Sequence, residues 1–147
     1  MGSLSLPSNG LAYLDANSII YRVERLNPFY HLFDLIFEAA EVGSLRILTS
    51  EVSLLECLVK PVREHDSALQ ALFRRVLTGT RETTLVPITR TILERAIHTR
   101  ADYNLKTPDA IHAATSLELD CGAFYANDRT LLRVADLRVQ VLGDALV

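Results

Sequence analysis

Leu11-Ala12-Tyr13-Leu14-Asp15-Ala16-Asn17 decides how the rest of the chain is read. A short apolar run ending in an acid reads as a buried central strand, because strands covered on both faces are apolar throughout rather than alternating. From Asn17 to Val23 a short helix is expected. A strand that passes straight into a helix suggests a parallel sheet with helices on its faces.

Working outward, the same unit recurs. Phe29, Leu32, Phe33, Ile36, Phe37 and Ala40 have helical spacing, with Pro28 before them and Gly43 as a stop. Leu45 to Thr49 is a second strand candidate. Thr49 or Ser50 can cap the next helix, whose apolar residues run to Pro61. Ala68, Leu69, Leu72, Phe73, Val76 and Leu77 mark a helix over 65–77 that ends at Gly79. Thr83 to Val86 is a third strand. A helix is expected over Thr89–Thr99, and another from Thr107-Pro108-Asp109 through Leu117, where Thr suits a cap and Pro the first helical position. Ala123 to Ala126 is a fourth strand. A short helix capped by Asn127 or Asp128 follows through Val134, and Leu137 to Val141 is a fifth strand at an edge. The expected fold class is α/β, a three-layer α/β/α sandwich on a five-stranded, mainly parallel sheet. Residues 1–10 read as a flexible lead-in, and 11–147 as one domain.

With 147 residues and 49% hydrophobic content, the chain can bury one sizeable core. No apolar run approaches the roughly 20 residues of a membrane span. The first ten residues lack the basic-then-apolar layout of a signal peptide. A soluble, cytoplasmic protein without a membrane partner is expected. Cys57 and Cys121 sit in apolar surroundings without CxxC pairing, and they read as buried free thiols. A net charge of −3 argues against a general basic coat for nucleic acid. Of the 15 cationic residues only Lys60 and Lys106 are lysines. Guanidinium groups suit bidentate phosphate contacts, and they equally suit a solvated helix surface.

Ligands of an open parallel sheet bind beyond the carboxyl ends of the strands, where strand order reverses. Asp15 ends the first strand and Asp128 follows the fourth, so the two share a crevice if those strands are neighbours. Glu56 lies in the helix after the second strand and Asp109 in the first turn of its own helix. Both can face that crevice. Carboxylates a few ångströms apart repel by several kcal/mol per pair at an effective dielectric of about 20. A hard divalent cation, Mg²⁺ or Mn²⁺, would neutralise them through oxygen ligands. It would also suit hydrolysis of a phosphodiester. Each acid has an ordinary reading too. Asp15 can be a strand-end turn residue, Asp109 and Asp128 helix-start charges, and Glu56 a member of a solvated face. Glu56 carries most information, because it is embedded in Leu54-Leu55-Glu56-Cys57-Leu58-Val59, where an unpaired acid is costly to bury.

Four pieces in order resemble the PIN-domain nucleases, and most closely the VapC-type ribonuclease toxins of prokaryotic toxin–antitoxin pairs. They are Tyr13-Leu14-Asp15-Ala16-Asn17, Ser50-Glu51-Val52-Ser53-Leu54-Leu55-Glu56, Lys106-Thr107-Pro108-Asp109-Ala110-Ile111-His112-Ala113-Ala114-Thr115 and Phe124-Tyr125-Ala126-Asn127-Asp128. The resemblance spans nearly everything from Leu11 to Val141. It implies a metal-dependent endoribonuclease with Mg²⁺ or Mn²⁺ held by Asp15, Glu56, Asp109 and Asp128. Asn17 and Asn127 fall where the family often has small polar residues near the metal. It further implies an RNA substrate, a cognate antitoxin and a homodimer. A housekeeping nuclease of RNA maturation is the alternative within the family, and a neighbouring antitoxin gene would discriminate.

Other residues enter as supports. Ser53, one turn before Glu56, can hold that carboxylate by a hydrogen bond or be an ordinary helix-start serine. Arg129 and Arg133 can reach a phosphate from the rim or decorate a helix surface. His112, three residues after Asp109 on the same helix face, can orient a carboxylate or approach the metal, but hard ions prefer oxygen and it reads rather as a packing or hydrogen-bonding histidine. Phe29, Tyr30, Phe33 and Phe37 are candidates for a partner face or for the core. A haloacid-dehalogenase-type phosphatase would need an Asp where Asn17 stands. A phospho-acceptor receiver would need an Asp after the third strand and a Lys after the fifth, where Val86-Pro87-Ile88 and Leu142-Gly143-Asp144 stand.

Overall fold

A computed structural model describes residues 3–146. Five strands, β1 (Leu11–Leu14), β2 (Arg46–Ser50), β3 (Thr83–Val86), β4 (Ala123–Ala126) and β5 (Val139–Val141), form one sheet in the order β3-β2-β1-β4-β5. Every pairing is parallel. The fold class read from the sequence therefore holds, with β5 at an edge as expected. The strand order reverses between β1 and β4, which pair through Tyr13 and Phe124. That reversal opens the crevice at the carboxyl ends of these two strands.

Among the described residues six helices cover the sheet: α1 (Ala16–Val23), α2 (Asp34–Glu41), α3 (Val52–Arg63), α4 (Ser67–Thr78), α5 (Arg90–Tyr103) and α6 (Thr107–Glu118). Alternate strand residues feed two cores. Ala12, Leu14, Ile47 and Tyr125 pack with Ile19, Phe33, Ile36, Cys57, Phe73 and Leu77 from the first four helices and the turn before α2. Tyr13, Leu48 and Phe124 point the other way and pack with Ile92 and Ala96 of α5 and Ala110, Ala113 and Ala114 of α6. The small alanines let α6 lie against the sheet, and the helix is buried almost without a break from Ala110 to Ser116. Phe33 is fully buried, and Phe29 and Phe37 pack partly buried against the same core. Phe29, Phe33 and Phe37 therefore belong to the core, whereas Tyr30 is half-buried and lies outside both cores.

Several boundaries differ from the sequence expectation for local reasons. The single helix expected before Gly43 is a 3-10 turn at Tyr30–Phe33 followed by α2. Gly43 reverses the chain at φ +82°, the conformation that glycine reaches without strain. Pro61 does not stop α3 but sits buried inside it. Proline forfeits one backbone bond there, while the Pro61 carbonyl accepts from the Asp66 amide and the Gln70 side chain, which secures the turn. α4 starts at Ser67, two residues later than expected, because the Asp66 side chain caps the Leu69 amide. α5 runs on to Tyr103 and stops at Asn104, in the left-handed region. Lys106, not Thr107, is the N-cap of α6, so Pro108 occupies its second position. The helix expected before Val134 is a 3-10 turn over Arg129–Arg133 with Asp128 as its cap.

The lead-in makes contacts with the rest of the domain. From Leu4 onward it is docked: Leu4 is 3% exposed in the first core, and the Ser5 carbonyl accepts from the Tyr125 hydroxyl and the Gln140 amide. Asn9 donates to the Asp120 carbonyl. Residues 1 and 2 of the expected flexible stretch lie outside the described residues. One buried leucine and the phenol of Tyr125, which needs a hydrogen-bond partner, tie the segment down in a way its polar composition does not reveal. Among the described residues no helix is long and apolar enough to cross a membrane. Both cysteines are free and buried, and burial pushes the Cys57 thiol up to about 12.

Candidate active site

At the reversal between β1 and β4, the four acids border one cavity. Its volume is about 300 Å³, and its lining is Asp15, Asn17, Glu56, Lys106, Pro108, Asp109, Asn127 and Asp128. A larger hollow of about 550 Å³ lies at the opposite ends of the strands, where Glu41 and Glu82 stand with Arg46 and Arg81. That hollow balances its charges, whereas the cavity at the strand reversal concentrates carboxylates against Lys106. Size is therefore a poor guide to chemistry here.

Each acid is placed by the element it begins or rides on. Asp15 follows β1 and caps α1: its Oδ1 accepts from the Ser18 amide at 2.9 Å, and the residue is 7% exposed. Ser18 is itself buried and its hydroxyl donates to the Tyr125 carbonyl, which locks the start of α1 onto β4. Asp128 caps the 3-10 turn after β4, with Oδ1 accepting from the Thr130 amide at 2.9 Å and the Thr130 hydroxyl at 2.7 Å. Asp109 lies in the first turn of α6, where the helix dipole favours a negative charge. Asp128 is thus the cap that the sequence offered, while Asp15, expected at most as a strand-end turn residue, caps α1; both roles coexist with a place in the cavity. One carboxylate oxygen makes the cap bond, and each carboxylate has a second.

Glu56 is held differently. Its Oε1 accepts from His112 Nε2 at 2.7 Å, and His112 is 2% exposed. On its other side the imidazole Nδ1 meets the Tyr13 hydroxyl at 2.6 Å. That hydroxyl also accepts from the Ser50 amide at 3.0 Å. Ser53, which the sequence offered as the support of Glu56, does something else: it is fully buried and bonds Thr49 Oγ1 at 2.6 Å, while Thr49 donates to the Leu14 carbonyl. Ser53 therefore ties α3 to β2 and β1, and His112 takes the role expected of it. Tyr13 was missed altogether. The available signal was a phenol in an otherwise aliphatic buried strand, since a buried hydroxyl needs a partner.

The remaining supports divide. Asn17 is exposed on the cavity wall, and Asn127 lines it while its Oδ1 accepts from the Gly143 amide. Neither Arg129 nor Arg133 lines the cavity. Arg129 pairs with Asp144 at 2.7 Å, and Arg133 donates to the Thr130 and Tyr103 carbonyls. The cation on the cavity wall is Lys106.

The electrostatics record how close the acids are. Burial above all, with the Asp109 charge adding to it, pushes the Asp15 carboxyl above the ordinary range, against the pull of His112 and of the Ser18 hydrogen bonds. Asp109 is pushed up first by burial and then by Asp128 and Glu56, with His112 and Lys106 opposing. Mutual repulsion in a half-dry cavity is the condition that a cation relieves. The donors are all oxygen, which suits a hard ion. In the arrangement described, no three His, Cys, Asp or Glu side chains among the described residues stand close enough to ligate one ion. The all-oxygen donor set fits Mg²⁺ or Mn²⁺, and ligation by three of these acids requires them to draw closer together, through the carboxylate oxygens that the cap and histidine bonds leave free.

Comparison with known proteins agrees with this architecture. The PIN domain profile matches residues 12–137, so the chain belongs to the PIN domain family. Its fold is that of the VapC-type toxins. The VapBC2 structure from Rickettsia felis, bound to a DNA fragment from their promoter, superposes with a TM-score of 0.69 at 12% identity, covering 89% of this chain and 98% of that one. A toxin–antitoxin complex from Klebsiella pneumoniae gives 0.66 at 21% identity, over 88% and 96%. VapC20 of Mycobacterium tuberculosis, a sarcin-ricin loop cleaving toxin, gives 0.68 at 12% identity, over 86% and 98%. A search among curated proteins finds no match.

Proposed function

We propose that the chain is a metal-dependent endoribonuclease that hydrolyses RNA phosphodiester bonds, and that it is the toxin of a VapBC-type toxin–antitoxin pair acting in the cytoplasm. The observation that carries this reading is the gathering of Asp15, Glu56, Asp109 and Asp128 around one cavity at the strand reversal, with two of the carboxyls, Asp15 and Asp109, pushed up by burial and by neighbouring acids. These four would hold Mg²⁺ or Mn²⁺. Such an ion supplies Lewis acidity toward the phosphate and a more acidic bound water.

The chain's own residues do the rest. Asp15 and Asp109 are set by the starts of α1 and α6, so their positions are fixed by backbone rather than by long side chains. Lys106 places a positive charge on the cavity wall, where the substrate phosphate would approach an otherwise negative site. Asn17 and Asn127 offer neutral hydrogen-bonding groups on the same wall. Arg129 and Arg133, in the 3-10 turn that follows Asp128, would meet phosphates farther along the strand.

Two protein partners accompany the reading, a cognate antitoxin and a second copy of the chain. The relatives VapBC2 and the Klebsiella pneumoniae complex support the first, both being toxin–antitoxin assemblies. On α3, Leu55, Val59 and Val62 are 68%, 47% and 51% exposed along one side, an apolar stripe beside Glu56 that a partner would cover. The decisive experiment incubates purified chain with total RNA in Mg²⁺, in Mn²⁺ and in excess chelator, with Asp109→Asn in parallel. Cleavage should need the metal and vanish in the variant. Cleavage that persists in chelator, or in folded Asp109→Asn, would overturn the proposal.

A further inference from the structure

Glu56 reaches the cavity from α3 on a flexible side chain that is 32% exposed, and a glutamate so placed must be held if it is to act at a defined point. The holding group comes from the opposite face of the sheet. A continuous polar line runs from the Ser50 amide at the end of β2, to the Tyr13 hydroxyl in β1, to His112 Nδ1 in α6, and from Nε2 to Glu56 Oε1, with separations of 3.0, 2.6 and 2.7 Å.

We propose that Tyr13 and His112 are positioning residues, an arm anchored on the sheet that sets the Glu56 carboxylate in the metal cavity; the inference rests on the proposed nuclease reading. The direction of each bond follows from chemistry. A carboxylate only accepts, so Nε2 carries the proton shared with Glu56. In the neutral ring Nδ1 is then an acceptor and takes the Tyr13 proton, while the Tyr13 oxygen accepts from the Ser50 N–H. Each group has its partner, and no buried side-chain nitrogen or oxygen among the described residues is left without one.

The arm is also rigid. Tyr13 is fully buried and stacks on Phe124 of the neighbouring strand, ring centroids 5.0 Å apart and planes within 6° of parallel. The His112 ring meets Tyr13 edge-on and is packed within the most buried helix. Among the described residues Glu56 Oε2 has no protein partner, so the arm grips one oxygen and leaves the other for the cavity. A histidine one turn from Asp109 thus serves an acid on a different helix, and it joins the geometry of α3 to that of α6 at the point where both must present carboxylates.

The test uses the full chain. His112→Asn keeps an acceptor for the Tyr13 hydroxyl but falls short of Glu56, whereas His112→Gln places an amide donor near the Nε2 position. Mn²⁺ affinity is measured by calorimetry without RNA, and kcat and KM are measured on an RNA substrate. His112→Asn should weaken Mn²⁺ binding and lower kcat by about 10–100-fold, the usual effect of losing the partner of a metal ligand, with KM for RNA unchanged. His112→Gln should recover most of both. In a Glu56→Gln background, His112→Asn should cost nothing further in Mn²⁺ affinity, because its only route to the metal is gone.

Folded His112→Asn with wild-type Mn²⁺ affinity and kcat overturns the arm and leaves the nuclease reading intact. Equal losses in the Asn and Gln variants, or an undiminished His112→Asn effect in the Glu56→Gln background, assign His112 a general packing role instead and overturn it too. A wild-type chain that neither binds Mn²⁺ nor cleaves RNA fails the function itself, and the arm with it. Should His112→Asn not fold, Tyr13→Phe, which frees the back of the imidazole while leaving the ring stack, must lower Mn²⁺ affinity in the same direction for the proposal to stand.

Discussion

Replacing Asp15 separates its two duties, because one of them survives the change to asparagine and the other does not. The carboxylate caps α1 through the Ser18 amide, and asparagine caps about as well as aspartate. It is also a buried acid pushed up by desolvation and by Asp109, so its ionised form costs folding free energy that a neutral isostere removes. Asp15→Asn should therefore melt at or above the wild-type temperature in chelator at neutral pH. Asp15→Ala obtains the same electrostatic relief but leaves the N–H of a fully buried Ser18 without its acceptor, a loss of about 1–2 kcal/mol. With a shift of about 2–4 °C per kcal/mol for a domain of this size, the two variants should differ by about 2–8 °C. Calorimetric or circular-dichroism melts measure that gap, and RNA cleavage in Mg²⁺ or Mn²⁺ is followed on the same preparations. Both variants should be inactive, and added Mn²⁺ should raise the wild-type melting temperature but not that of Asp15→Asn. If Asp15→Asn and Asp15→Ala melt together, the cap bond contributes nothing. If Asp15→Asn melts well below wild type, the burial penalty on the carboxylate has been misjudged. Cleavage by either variant removes Asp15 from the mechanism.

Two further outcomes follow from the same electrostatics. Asp15 and Asp109 both have raised carboxyls, so the folded chain binds their protons more tightly than the unfolded chain; in chelator their contribution to stability should fall as pH rises from the ordinary carboxylate range through the raised values, and denaturation at a series of pH values should show a flatter profile for Asp15→Asn and Asp109→Asn. Lys106→Ala should raise KM for RNA by more than Arg129→Ala does, because Lys106 lines the cavity and Arg129 is paired with Asp144; steady-state cleavage of a short RNA decides it, and a larger effect at Arg129 would place the phosphate elsewhere.

The sheet and its helices were legible in the chain because their signals are local. The apolar run at Leu11–Leu14 followed by Asp15 can be read without knowing what lies around it, and so can the Gly43 stop and the helix that starts beside Thr89. The four acids as a set were legible through the resemblance and on the condition that β1 and β4 are neighbours, since the rule linking strand ends to binding crevices needs the strand order. Element ends were less legible. Pro61 inside α3 and Leu4 docked in the first core are outcomes of packing, which overrides the propensity of a proline to stop a helix and of a polar segment to stay free.

Sequence by itself therefore determined the layers and the strand identities, because periodicity and caps act over a few residues, and it named the acids whose meeting the strand order then decided. Tertiary structure alone decided which side chains serve those acids. Ser53 is one helical turn from Glu56 yet turns to Thr49, while His112, 56 positions away along the chain, grips the carboxylate with Tyr13 behind it. The physical reason is that a hydrogen bond is specified by distance and direction in space, and residues separated by many tens of positions acquire both only when the sheet brings three elements to one point.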